Sequence, residues 1–207
     1  MEIIGKINDF AGGIGDFFKS INLLLTLLWT VLGALGSFVG WFVFTYNSLV
    51  QKRRRTDEEW ANIAAAIKRR ADLIPNLVET VKGYAGHERA TLENVTRARS
   101  AVMDATGPAE QMKAENMLTG ALKSLFAVAE SYPDLKANQN FSEMQRELAE
   151  SENRVYEARK IYNAAVQELN VKIESIPSNF VAKVFRFKKA EFFEAEAAAI
   201  AVPKVSF

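Results

Sequence analysis

The chain has no cysteine and a single histidine in 207 residues. Lack of cysteine removes disulfides, cysteine-ligated zinc, thiol catalysis and lipid attachment at cysteine, and leaves the redox compartment open. A lone histidine removes the usual helical metal pair, because a zinc site takes about three or four ligands, with two commonly one turn apart. Four positions either side of His87 stand Gly83 and Thr91, and three positions either side stand Tyr84 and Ala90. None of these is a carboxylate or imidazole, so neither a metal nor a cofactor is expected. An excess of one charge is also missing, with 26 Lys and Arg against 25 Asp and Glu. That balance lacks the basic stripe of a general nucleic-acid binder. No glycine-rich phosphate loop follows a strand, and there is no nucleophile elbow. Glu143, Glu147, Glu150 and Glu152 are interleaved with Arg146, Arg154 and Arg159, the pattern of a solvated, ion-paired face. No catalytic residue is assigned, and an enzyme is not expected.

Charge itself is absent between Lys19 and Lys52, where the core of the gap reads INLLLTLLWTVLGALGSFVGWFVF. An apolar run of about 20 residues crosses a bilayer as one helix. A cleaved signal peptide fits less well, since its apolar core is only about 7–15 residues long. A hairpin broken at Gly33 and Gly36 would need more length for two crossings. Residues 21–45 are therefore read as a transmembrane helix. Lys52, Arg53, Arg54 and Arg55 follow it, against Lys6 and Lys19 before it. The positive-inside rule then keeps the large C-terminal part in the cytoplasm and the short N-terminus outside. Gly36 and Gly40 form a GxxxG pair, with Gly33 one turn earlier, a spacing that lets two helices approach closely. Glycine is also simply common in membrane helices.

Residues 1–20 carry Ile3, Ile7, Phe10, Ile14, Phe17 and Ile21 at alternating spacings of four and three. This places them on one side of a helix lying in the membrane interface. Gly5, Gly12, Gly13 and Gly15 weaken that helix, each by up to about 1 kcal/mol relative to alanine. Ile7, Phe10 and Phe17, with Gly33, Gly36 and Gly40, are the candidate lipid and self-association contacts.

From Trp60 onward the apolar period is that of helices. Trp60, Ile67, Ile74, Val81, Val95 and Val102 repeat every seven residues, broken only by Glu88, and Ile63, Leu77, Tyr84 and Ala98 hold the companion position, broken by Arg70 and Thr91. This predicts one helix from Leu49 to Thr106, about 87 Å long at the standard rise. The phase runs through Pro75 unchanged, so the proline is expected to kink that helix rather than end it, at a cost of about 3 kcal/mol and the loss of a hydrogen bond to the Ala71 carbonyl. Gly107 and Pro108 end it and start a second helix to about Ser131. After YPDLKAN a third runs from Asn140 to Ile176, with Phe141, Leu148, Val155, Tyr162, Leu169 and Ile176 repeating every seven residues. Helices joined by short loops form an antiparallel bundle. The fold class is thus all-α: a transmembrane helix, then a three- to four-helix bundle over residues 46–176.

A second helix less than half the length of the first leaves part of the long seam for a fourth segment or another subunit. Residues 177–207 form an aromatic tail holding six of the 14 phenylalanines. A short helix near Lys189–Ile200 is the candidate fourth element; docking of the tail on a neighbour is the alternative. Arg70 and Glu88, intruding into the seam, either meet partners that set register or reach past it to water.

YNSLVQKR, IKRRADLIPNLVETVKGYAGHE and TRARS occur in that order, followed by YPDLKANQNF, SENRVYEARKIYN and the terminal VPKVSF. Together these resemble the LemA family of bacterial membrane proteins. The resemblance implies one N-terminal membrane helix, a mostly antiparallel helical bundle and a small external N-terminus, and it carries no assigned biochemical activity. The lead-in here is longer and more amphipathic than in typical members. Three functions remain: a self-assembling scaffold that organises or remodels the bacterial cytoplasmic membrane, which leads; an adaptor or sensor recruiting a protease or signalling partner; and a membrane-bound enzyme, disfavoured. The expected partners are membrane lipids and further copies of the chain, with no nucleic acid.

Overall fold

The computed structural model describes the backbone of residues 2–193 and the side chains of Lys19 and residues 21–193. Every regular element among the described residues is helical: α1 Glu2–Tyr84, α2 Arg89–Asp104, α3 Gly107–Ala129, α4 Pro133–Lys136, α5 Gln139–Glu174 and α6 Ser178–Val184. The chain divides into two units, Met1–Ser48 and Leu49–Phe207, and the boundary falls inside α1.

The first unit is α1 alone. The lead-in continues into the apolar stretch without a helix break; the side chains of Ile7, Phe10 and Phe17 lie outside the described residues. From residue 21, α1 is the one described helix long and apolar enough to cross a membrane. Hydroxyls within the apolar stretch bond the helix's own backbone, Thr30 Oγ1 donating to the Leu27 carbonyl at 2.8 Å and Ser37 Oγ to the Gly33 carbonyl at 2.8 Å. Such back-bonding lets polar side chains sit where no water is available.

In the second unit α1 and α5 run antiparallel, since Lys52 and Arg55 meet Glu168, Trp60 meets Tyr162, and Tyr84 meets Asn138. The helices α2 and α3 form a shorter hairpin against them. The core is Ile63, Ile67, Ile74, Leu77 and Val81 from α1, Val95 and Val102 from α2, Leu118, Leu122 and Leu125 from α3, and Phe141, Leu148, Val155 and Tyr162 from α5. Asn138 caps α5, its Oδ1 accepting from the Phe141 amide at 3.0 Å. Gly107 opens α3 at φ +78, a conformation that costs little only for glycine, and Pro108 sits in the first turn, where its missing N–H is harmless.

Three expectations are corrected. The long helix does not reach Thr106. It ends at Tyr84, and the chain reverses through Ala85–Glu88 before α2, with the Glu88 amide bonded to the Ala85 carbonyl at 3.0 Å. Gly86 permits this, because a Cβ there would lie 3.1 Å from the Lys82 carbonyl. The seven-residue repeat runs on past this reversal because α2 carries its own repeat in matching phase, with Val95, Ala98 and Val102 buried. The part of α1 in the second unit therefore equals α5 in length, 36 residues. Second, Glu88 is not inside a seam: it stands at the start of α2, and its Oε1 accepts from the Tyr132 hydroxyl at 3.1 Å. Third, residues 189–193 are not helical; the short helix falls earlier, at Ser178–Val184, and residues 194–200 lie outside the described residues.

Candidate functional site: an apolar helix, a buried ion pair and a clamped segment

On the first unit, Gly33, Gly36 and Gly40 all face open space: a Cβ built on any of them meets nothing within 4 Å. None of the apolar window is buried by protein. Leu24, Leu28, Val31, Leu35 and Phe38 stand exposed around the helix. Only lipid or another apolar helix can cover such a surface without penalty.

In the bundle, α1 continues through Pro75. Proline has no N–H, so the carbonyl four residues earlier, that of Ala71, loses its helical partner. Ala71 is fully buried, and an unpaired carbonyl there would be costly. Arg99 on α2 supplies the missing donor, its Nε lying 2.9 Å from the Ala71 oxygen. The proline and the arginine thus form one device, which ties α2 to the middle of α1.

Immediately before Ala71, Arg70 is also buried. Its Nη1 donates to Glu115 Oε2 on α3 at 2.8 Å and to Thr119 Oγ1 at 3.3 Å, and its Nη2 lies 3.5 Å from Glu152 Oε2 on α5. A single side chain from α1 therefore joins three helices. The layer is not fully satisfied, since Arg70 Nε and Glu115 Oε1 have no hydrogen-bond partner. Loss of solvation pushes the Glu115 carboxyl above its ordinary range, more than the Arg70 charge pulls it back. Nearby, Gln111 Nε2 latches the α2–α3 turn by donating to the Val102 carbonyl at 3.1 Å.

Toward the other end of the bundle, the chain after α6 runs back along α5 as an extended segment. Asn163 brackets Phe193, donating to its carbonyl at 3.0 Å and accepting from its amide at 2.8 Å. Asn170 does the same for Ala190, at 3.0 and 2.9 Å. The spacing explains the fit. Seven residues of helix rise about 10.5 Å, and three residues of extended chain span about 10 Å, so two asparagines on one helix face address the backbone three residues apart. Between them, the Tyr162 hydroxyl donates to the Glu191 carbonyl at 2.8 Å. Burial raises the Tyr162 pKa first, with the Glu191 and Asp57 charges adding to it, so the phenol keeps its proton. Phe193 is 1% exposed; its ring lies 6.1 Å from that of Trp60, which in turn lies 5.6 Å from that of Tyr162, and it carries the Arg159 guanidinium 5.3 Å above its centroid. This described part of the aromatic tail is docked in the chain's own core.

His87 is exposed in the turn between α1 and α2. Among the described residues, no group of three or more His, Asp or Glu could hold a metal ion. The sequence reading missed Glu115, Arg99, Asn163 and Asn170. Glu115 and Gln111 are four apart on a face also carrying Ala114 and Leu118, which was the available signal. The asparagine pair had a signal too, two amides seven apart beside the Tyr162–Leu169 stripe.

A closed four-helix bundle, carried on a helix long and apolar enough to cross a membrane, defines a class of anchored bundle proteins. The sequence profile of the LemA family matches residues 59–207, and the chain belongs to that family. It is 28% identical over 187 residues to Protein LemA of Metamycoplasma hominis, covering 88% of this chain and 80% of the relative. It is 27% identical over 184 residues to Magnetosome protein MamQ 2 of Paramagnetospirillum magneticum, covering 76% and 68%. To Magnetosome protein MamQ of Magnetospirillum gryphiswaldense it is 24% identical over 186 residues, covering 77% and 68%.

Proposed function

We propose that this LemA-family protein is a non-enzymatic scaffold, anchored in the bacterial cytoplasmic membrane by residues 21–45, that self-assembles and so organises or remodels that membrane. The observation that carries the reading is the open glycine face of Gly33, Gly36 and Gly40 on a stretch no protein covers. Small residues at this spacing let helix backbones meet. The basic run Lys52–Arg55 favours a cytoplasmic bundle. Light scattering in mild detergent is expected to give a multimer that Gly36→Ile or Gly40→Ile reduces; a sharp monomer for the unaltered chain contradicts assembly. Liposomes of unchanged shape after reconstitution contradict remodelling specifically.

One observation favours the adaptor reading as an alternative. A groove of about 720 Å³ lies between α1 and α2, lined by Val78, Lys82, Arg89, Leu92 and Thr96 among others. Proximity labelling that finds one abundant partner, with purified protein that does not assemble, selects that reading.

A further inference from the structure

The end of the bundle at which α1 enters carries an unusual surface. There α5 finishes beside the first residues of the second unit, as the Glu168 contacts with Lys52 and Arg55 require, and α6 packs against α5. Inward, α6 buries Ser178, Val181 and Ala182. Outward it holds larger apolar groups in the open: Phe180 is 66% exposed and Val184 67%, and Ile176 just before the helix is 81% exposed. Phe180 and Val184 are four apart and share one side of the helix. Holding a phenylalanine and two branched apolar side chains in the open departs from the usual partition.

Cations rim this patch. Lys183, Arg186 and Lys188 are exposed beside it, and Arg53 and Arg54 are exposed on α1 at the same end. Among the described residues none of these five enters a salt bridge. Two carboxylates at this end are already engaged, Glu168 by Lys52 and Arg55, and Glu174 by Lys189. An apolar patch rimmed by uncompensated basic groups suits the boundary between acyl chains and anionic headgroups. Chain connectivity favours a lipid surface over an acidic protein. Leu49 begins the second unit only a few residues after the apolar stretch, so this end of the bundle is tethered at the surface of any bilayer that α1 spans.

We propose that α6 and the turn after it dock the bundle onto the membrane surface. Ile176, Phe180 and Val184 enter the headgroup–acyl boundary, while Lys183, Arg186 and Lys188, with Arg53 and Arg54, hold anionic headgroups. The proposal rests on α1 as the anchor and not on self-assembly.

Because the chain has no cysteine, an environment-sensitive fluorophore can be attached at one introduced thiol. Full-length Val184→Cys is labelled and placed at one protomer per nanodisc, in bilayers of neutral lipid or with added phosphatidylglycerol, each containing spin-labelled quencher lipid. His87→Cys, in the turn at the opposite end of the bundle, is the control. The expected result is a blue shift and lipid quenching at position 184, stronger with phosphatidylglycerol, and neither at position 87. Each basic side chain reversed, as in Lys183→Glu or Arg186→Glu, is expected to weaken the docked state about fivefold or more. A probe at 184 as water-exposed as that at 87 in both bilayers overturns the proposal. Equal quenching in neutral and anionic bilayers, unmoved by charge reversal, overturns the headgroup role. A blue shift without lipid quenching means that protein covers the patch, which also overturns it. With one protomer per disc, a failure of self-assembly leaves this readout untouched.

Discussion

Removing Arg99 tests whether its bond to the Ala71 carbonyl is the counterpart of Pro75. The Nε–O distance is 2.9 Å and Ala71 is fully buried, so Arg99→Met strands an acceptor where water does not reach. A buried polar group left unpaired costs about 1–3 kcal/mol, and methionine retains much of the aliphatic packing. In a Pro75→Ala background the restored backbone N–H can bond Ala71 itself, and the same substitution should then cost close to nothing. The expected coupling in the double-mutant cycle is about 1–3 kcal/mol. Each kcal/mol is about 2–4 °C in midpoint for a unit of this size, so Arg99→Met should melt about 2–12 °C lower with Pro75 and nearly unchanged without it. Circular dichroism of the full chain in mild detergent measures this, with denaturant titration checking that the transition is two-state. Equal losses in both backgrounds refute the reasoning, because Arg99 would then act through its charge or packing alone.

Three further outcomes follow from the same geometry. Glu115→Leu leaves Arg70 buried with only the half-exposed Glu152 opposite it, and should cost about 3 kcal/mol; the double variant with Arg70→Met should recover most of that or exceed the parent, read by the same melts. Asn163→Ala removes both bonds to the Phe193 backbone, a loss of about 1–3 kcal/mol, and should speed proteolysis between residues 187 and 193 while leaving α3 protected in hydrogen exchange. On acidification, Glu168, held low by the Lys52 hydrogen bond and charge, and Glu110, held low by the Thr106 amide and hydroxyl, both favour folding above their ordinary value of 4.5. That contribution is lost as pH falls through their depressed folded values. Glu115 acts oppositely: its folded value is raised, so its contribution is complete below 4.5 and declines as pH rises through the folded value. Glu168→Gln should therefore flatten the acid limb of a stability–pH profile, and Glu115→Gln should remove a decline on the side above it.

Helix class and core face were legible because burial follows period. Phe141, Leu148, Val155, Tyr162 and Leu169 were read at seven-residue spacing and are buried on α5, whereas Ile176, the next in that repeat, falls past the end of the helix and is 81% exposed. The buried face of α3 is less legible: Leu122 and Ala129 are buried while their neighbours Ala121 and Val128 are only half-buried, and small and branched apolar residues flank both sides of that face. The reversal at Ala85–Glu88 was hidden by the seven-residue repeat, which does not record chain direction. Its signals were local, the glycines at 83 and 86 and the seam's interruption at Glu88. Partners such as Arg99 for Ala71, Glu115 for Arg70 and Asn163 for Phe193 were not legible, since each joins residues distant in sequence. Pro75 did announce an orphaned carbonyl, and only the fold could say which side chain answers it.

The central claim is that full-length chains associate within a membrane. Electron cryo-microscopy of the purified full-length protein reconstituted in liposomes tests it most directly. The account predicts ordered multimers on vesicles whose shape departs from protein-free controls, and loss of those multimers in Gly36→Ile. Dispersed single protomers on vesicles indistinguishable from the controls would contradict it.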